Sequence, residues 1–348
     1  MGARLGFDEL AKKVVESGAC TGCSACVITC PYKGVLEYSE GRPKIVGECK
    51  VCGICPRVCP RYALQREELE TFVFGRARKT EEDFGVYREI HVAKSTDEEV
   101  LRRGQDGGVA TALICSALDS GIIDGAVVSG VDTSVPWLPV PFVATSSGDV
   151  LRFAGTRYTY SLNLLALSKC VADGLKKVAF VGTPCQIMAF RRIQKVPIKR
   201  LAGIVAFTVG LFCSESFTYE GLMLKKIRGE MGIDLKDIAK MNIKGKMLLT
   251  LRNGGSVEIP LKEAKNYAEG KCGYCGDFSA EFADISLGGV GLDGRTFTVV
   301  RTEAGKSVFD QALKDRALDV KPVGEFKRAY DLLVQLSKLK RKNMRNIV

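Results

Sequence analysis

Two runs of four cysteines, Cys20-x2-Cys23-x2-Cys26-x3-Cys30-Pro31 and Cys49-x2-Cys52-x2-Cys55-x3-Cys59-Pro60, constrain this chain more than any other feature. A 4Fe-4S cube needs one thiolate per iron. The tight turns of a C-x2-C-x2-C run bring three sulfurs to one cube and leave its fourth corner open, so the fourth ligand comes from the other run. Cys20, Cys23, Cys26 and Cys59 are therefore expected to hold one cluster, and Cys49, Cys52, Cys55 and Cys30 the other. Zinc is satisfied by two C-x2-C pairs and would leave the third cysteine of each run without a role. Disulfides need an oxidising compartment, and residues 1–18 read as a polar amphipathic helix rather than an apolar leader. Between the runs, Gly34, Gly41, Pro43 and Gly47 mark turns that leave room for short strands near residues 35–38. A repeat of this kind implies electron transfer.

The repeat ends near Leu64, and most of the 348 residues lie beyond it. Residues 65–88 are dense in charge (REELE, RARKTEED, YRE), which suits a solvated connection or an exposed helix. The expected division is a two-cluster ferredoxin-like domain at 1–66, a charged connection at 67–90, a larger domain at 91–323 and a basic tail at 324–348. The longest apolar stretch, 201–213, is broken by Gly203 and Gly210, so no segment is expected to span a bilayer. Net charge is +11, and residues 321–348 hold eight Lys or Arg against Glu325 and Asp331. The tail reads as a helix packing a face with Leu333, Leu336 and Lys340 while its KLKRK edge stays in water, or docks on an acidic partner or a membrane surface. Nucleic acid fits poorly, because no aromatic platform or recognition motif accompanies the charge.

From Val92 onward strand-like and helix-like segments alternate, which predicts an α/β, mixed α+β architecture. Gln105-Asp106-Gly107-Gly108 is a glycine turn feeding an apolar run, 109–118, expected to be helical, with a strand to follow at 125–129. Paired glycines before a helix let backbone amides approach an anion, and the helix N-terminus favours phosphate; the same pair also serves as an ordinary turn. Residues 177–182 predict a buried strand running into a helix over 187–194, with Cys185 at the junction. Residues 204–212 predict another, with Cys213 just past its end and Ser214 placed to cap a helix over 219–231. As parallel neighbours, the two strands would deliver both thiols to the carboxyl edge of one sheet, where open α/β sheets place ligands. With Cys272-x2-Cys275 they make a third set of four, although lone cysteines also serve as plain buried thiols. Cys115 and Cys170 read as packing residues, and His91, the only histidine, as packing rather than proton transfer.

The segments QDGGVATALICSALDSGIIDGAVV, FAGTRYTYSLN, VAFVGTPCQIMAFRR, VGLFCSESF and CGYCGDFSAEFADISLGGVGLDGRTFTVVRTEAG, in that order, resemble the beta-subunit family of coenzyme F420-reducing hydrogenases and F420-dependent dehydrogenases. The resemblance runs from about residue 92 to about 323. It implies a mixed-sheet domain that binds FAD, exchanges a hydride with the 8-hydroxy-5-deazaflavin coenzyme, and carries its own 4Fe-4S cluster on Cys185, Cys213, Cys272 and Cys275. It places the flavin around Gln105, Asp106, Gly107 and Gly108, around Thr156, Arg157 and Tyr158, and around Gly182, Thr183, Pro184 and Gln186. Arg157 would meet the FAD pyrophosphate or the coenzyme's acidic tail. Lys244 and Lys246 are candidates for a phosphate or the flavin edge, or else part of a solvated hairpin turn.

Fusion to a two-cluster ferredoxin domain is similar to the electron-input subunits of membrane-bound archaeal F420H2 dehydrogenases, although other flavin and iron-sulfur relatives carry ferredoxin segments. The implied activity is oxidation of F420H2 by hydride transfer to FAD, with no catalytic acid, base or nucleophile from the chain. Electrons would leave singly through three 4Fe-4S clusters to other subunits of a quinone- or phenazine-type complex, or to soluble ferredoxin, at the cytoplasmic face of a membrane. The alternatives are a related FAD and iron-sulfur reductase acting on another substrate, and a flavin-free electron-transfer subunit.

Overall fold

The computed structural model describes residues 5–196 and 198–347. Between the cysteine runs, β1 (Leu36–Ser39) and β2 (Arg42–Ile45) form an antiparallel hairpin. The body is a mixed sheet of eight strands: β3 (Glu89–Ser95), β4 (Gly125–Val131), β5 (Pro139–Ala144), β6 (Val178–Gly182), β7 (Val205–Leu211) and, further along the chain, β11 (Ile285–Gly288), β12 (Thr296–Val300) and β13 (Leu318–Pro322). A separate antiparallel sheet is formed by β8 (Ile238–Ile243), β9 (Lys246–Leu251) and β10 (Ser256–Pro260).

The spatial order is β13-β3-β12-β11-β7-β6-β4-β5. Its centre, β4, β6, β7 and β11, is parallel, and antiparallel strands close both sides. Parallel strands are buried on both faces and so read as unbroken apolar strings, which is the pattern of VAFVG in β6, where every residue is buried. Leu164, Phe180, Ile187 and Phe190 pack in one core cluster, while Leu113, Phe207, Val209 and Phe309 pack in another. The crossover from β6 to β7 is the helix Pro184–Lys195, begun by Pro184 and held at its start by the Gln186 amide oxygen accepting from the Thr183 N–H at 3.0 Å. Cys185 thus leaves the carboxyl end of β6, and Cys213 the carboxyl end of its parallel neighbour β7.

Three local expectations are corrected. The charged stretch 65–88 is not a solvated connection: it begins with the helix Arg66–Phe74, in which Leu69 and Glu70 are each 2% exposed. Its charges turn inward because the body supplies partners. Glu70 accepts from Arg66 at 3.2 Å and from Arg78 at 2.8 Å, while the buried Glu281 pairs with Arg66, Arg78 and Arg341. Ser214 does not cap the helix Tyr219–Glu230; Thr218 does, accepting from the Gly221 N–H at 3.1 Å, while the Ser214 carbonyl is engaged by Lys340.

The basic edge of the last helix, Lys327–Lys342, stays only partly in water: Lys338, Leu339 and Lys342 are exposed, but Lys340 and Arg341 turn onto the body. Leu333 is fully buried, as the sequence pattern requires, but Lys340 also donates to the Cys272 carbonyl at 3.4 Å and Arg341 to the Asp83 carbonyl at 2.8 Å. Arg345 lies 4.3 Å over the Tyr274 ring. Backbone carbonyls of Asp83, Ser214 and the 270–275 loop are the acceptors that draw these side chains down.

Candidate functional site

The two cysteine runs fold alike. Each short helix, Ala25–Thr29 and Ile54–Val58, starts from a left-handed residue, Ser24 at φ 65° and Gly53 at φ 77°. Each ends at a Cys-Pro step, where the proline holds Cys30 and Cys59 extended and stops the helix. Cys59 consequently lies beside Cys23, Cys26 and Cys20, and Cys30 beside Cys55, Cys49 and Cys52. Burial, with Cys59 alongside, pushes the Cys23 thiol up to about 12; burial, with Cys49 and Cys52, does the same for Cys55. Cys30, Cys49, Cys52 and Cys55 ring a cavity of about 340 Å³, and Cys52 is exposed.

The third set comes from three separate places in the chain. Cys185 follows β6, Cys213 follows β7 with its N–H donating to the Phe278 carbonyl at 2.8 Å, and Cys272 and Cys275 come from the turn Gly270–Tyr274 and its end. All four line one cavity of about 360 Å³. Cys272 Sγ accepts from the Ser216 N–H at 3.3 Å, and Cys185 Sγ lies 3.4 Å from Thr183 Oγ1 and 3.5 Å from the Tyr160 hydroxyl. Burial pushes Cys272 up to about 11, so a metal must displace protons to bind here. Among the described residues no three Cys, His, Asp or Glu side chains converge as tightly as one metal ion requires. Four soft thiols spread around a cavity could instead hold an iron-sulfur cube.

The glycine turn lies on the same sheet edge. Gly289, just past β11, presses against Asp106 and has no room for a side chain. A Cβ on Gly107 would fall 2.7 Å from the Ala93 carbonyl, and Gly108, at φ 67°, opens the helix Val109–Asp119, which no side chain caps. Gln105 is half-buried, with neither end of its amide bonded. Arg157 is half-buried too: it spends Nη1 on backbone carbonyls, Gly155 at 2.8 Å among them, and leaves a buried Nε without a partner. Its surroundings pull Arg157 down to about 10. A cation met only by carbonyls, together with uncapped helix amides, fits the phosphates of a dinucleotide cofactor. Tyr158 adjoins Asp106, whose carboxyl burial raises while Lys244 and Asn242 pull against it.

The remaining candidates divide. Lys244 pairs with Asp293 at 2.5 Å and faces Asp106, whereas Lys246 pairs with Glu258 at 2.5 Å along the exposed hairpin. Thr183, Gly182 and Pro184 sit where β6 enters its helix, but the amide of Gln186 is already engaged at both ends, by the Thr183 N–H and the Ser161 carbonyl. Thr156 lies in the loop that carries Arg157. His91 stacks on Phe309 at 5.0 Å, Cys170 is fully buried in the core, and Cys115 packs at the edge of another core cluster. Sequence reasoning did not single out Arg61, Tyr160, Lys271 or Lys340, all of which line the third cavity. Arg61 carried a signal in directly following Cys59-Pro60; Lys340, far along the chain, carried none.

Thiols at the ends of parallel strands, beside a pocket with an unpaired, half-buried cation, define a class: the redox subunits that work with bound cofactors. Residues 90–168 match the N-terminal model, and residues 175–325 the C-terminal model, of the coenzyme F420 hydrogenase/dehydrogenase beta subunit. The chain belongs to that family of F420-dependent oxidoreductase subunits. It is 39% identical to the beta subunit of the coenzyme F420 hydrogenase of Methanothermobacter thermautotrophicus, over 74% of this chain and 92% of that one. It is 30% identical to one of the subunits of the F420H2 dehydrogenase of Methanosarcina mazei over 95% of this chain and 91% of the relative, a match too long to omit the two cysteine runs. Among solved structures, a chain of the F420-reducing NiFe hydrogenase complex from Methanosarcina barkeri superposes with a TM-score of 0.72 at 38% identity, covering 76% of this chain and 92% of that one.

Proposed function

We propose that this chain oxidises F420H2 by hydride transfer to a bound FAD and passes the electrons singly through three 4Fe-4S clusters to a protein partner. The observation that carries the reading is the gathering of twelve cysteines into three sets of four, the third on the same sheet edge as Arg157 and the glycine turn. FAD accepts electrons in pairs and releases them one at a time, which is the conversion a deazaflavin and an iron-sulfur cluster require between them.

The chain's own residues bind and shield. Arg157 and the first amides of the helix Val109–Asp119, which no side chain caps, would hold the pyrophosphate, and Gln105 would donate to or accept from the cofactor at the buried side. Lys244, close to Asp106, places positive charge at the pocket beside a coenzyme whose tail is acidic. No side chain is assigned as acid or base. The exposed Cys52 marks the face for the partner, a component of a membrane-bound dehydrogenase or a soluble ferredoxin on the cytoplasmic side. Among the described residues no helix is long and apolar enough to cross a membrane.

Anaerobic quantification followed by F420H2 titration tests this. The expected result is about twelve irons with stoichiometric FAD, recovery of the oxidised deazaflavin absorbance on mixing, and loss of about four irons in Cys272→Ser. Bound flavin with no return of absorbance would point to another substrate. Absence of flavin after acid extraction would leave only an electron wire.

A further inference from the structure

We infer that Arg61 joins the Cys185, Cys213, Cys272, Cys275 set to the Cys20, Cys23, Cys26, Cys59 set, and that its charge governs how an electron divides between the centres they hold. The inference rests on the cluster reading above and adds an order to it. Thr21 and Arg61, both from the ferredoxin repeat, line the cavity of the third set. Arg61 follows Cys59 by two residues and its backbone N–H points at Cys59 Sγ, 3.5 Å away. Its side chain crosses to the other set, where Nη1 donates to the Tyr274 carbonyl, between Cys272 and Cys275, at 2.5 Å. The neighbours of the guanidinium are the thiols of Cys275, Cys185 and Cys59, and its Nε is buried without a partner.

Tyr160 completes the partition. Its hydroxyl is 3.5 Å from Cys185 Sγ, it adjoins Cys23, and the Lys271 ammonium lies 4.5 Å over its ring. The cavity of the Cys30, Cys49, Cys52, Cys55 set shares no lining residue with that of the third set. The Cys20 set therefore stands between the other two: Arg61 and Tyr160 tie it to the Cys185 set, and its Cys26 adjoins Cys55 of the set whose Cys52 is exposed.

When an electron passes from one centre to the next, the first is oxidised by one electron and the second reduced by one. Arginine keeps its proton throughout. The added negative charge is stabilised by a cation at close range, more strongly where water is excluded. A guanidinium touching both sets stabilises the reduced form of each, and favours the set to which it lies closer. Arg61 is a positioning residue in this sense, setting potentials without meeting substrate.

The test is a reductive titration of the full, iron-loaded chain, followed by electron paramagnetic resonance. The signal altered by Cys52→Ser marks the surface centre. In Arg61→Gln the reduced-to-oxidised ratio, at fixed solution potential, should fall roughly tenfold at the Cys185 set, which supplies most of the guanidinium's neighbours, equivalent to about 59 mV for a one-electron couple, and by less at the Cys20 set. The surface centre should not move, and Arg61→Lys should recover part of the loss. If the glutamine variant sheds iron, Arg61→Met, which keeps the apolar stem, repeats the reading. Full iron with all three signals unmoved, or all three moved equally, overturns the inference. Wild-type chain with about eight irons would overturn the cluster reading beneath it.

Discussion

Arg157 and Asp284 show two ways of burying a charge. Arg157 meets only backbone carbonyls, whereas Asp284 is answered by Arg191 at 2.9 Å and by the Thr208 N–H at 2.7 Å. Charges taken out of water without a counter-ion are costly; on the proposed function the first awaits a cofactor phosphate, while the second is answered within the fold. Replacing Arg157 with methionine should weaken FAD retention by roughly tenfold to a hundredfold, the equivalent of a charge-assisted hydrogen bond of about 1.5–3 kcal/mol. Fluorescence of flavin released on gel filtration measures this, and the thermal midpoint of the flavin-free chain should hold or rise. The two roles were unequally legible. Both residues stood in segments that resemble a known family, but the resemblance gave a role only to Arg157, and nothing around Asp284 marked its distant partner Arg191.

Asp284 also connects elements. Arg191 reaches it from the helix Pro184–Lys195, Thr208 from β7, and Thr302 from the cap of the helix Glu303–Lys314. Burial alone would raise its carboxyl, but Arg191 and the hydroxyls of Thr302 and Thr208 outweigh that and hold it below the usual range. Its stabilisation is therefore present above the ordinary carboxylate pKa and lost as pH falls through the lowered value. Asp284→Ala should cost about 3–5 kcal/mol in denaturant unfolding near pH 7, with the gap to wild type closing in acid. Three of the four parallel strands, β4, β6 and β7, were readable because they are largely apolar and a cysteine follows two of them, whereas β11, four residues long and interrupted by Ser286, was not. The stretch 65–88 was misread for a symmetrical reason. Charge density along a sequence does not show whether water or other charges will surround it, and Glu70 found Arg66 and Arg78.

Across the whole molecule, the basic end of the last helix braces the loop of the third cysteine set. Lys340 engages the carbonyls of Ser214 and Cys272, while Arg345 stacks on Tyr274 and its backbone N–H donates to the Gly273 carbonyl at 2.8 Å. The double change Lys340→Ala with Arg345→Ala should leave the circular dichroism of the chain intact but speed iron release in air until about four irons are lost, followed by chelator absorbance. The contacts that make this brace join residues far apart in sequence, which is why the tail read as a packed helix with a wet or docking basic edge and gave no sign of the 270–275 loop.

The same brace fixes a schedule for making the protein. The eight cysteines of the first two sets lie within about forty residues of one another, so their centres can be filled before residues 185–345 are made. The third set draws its ligands from positions 185 to 275 and its brace from residues 340 and 345, so it closes only after Arg345 has been made. On the proposed function the outlet of the electron path is complete before its entrance, and a chain made only as far as the first two sets has nowhere for electrons to enter.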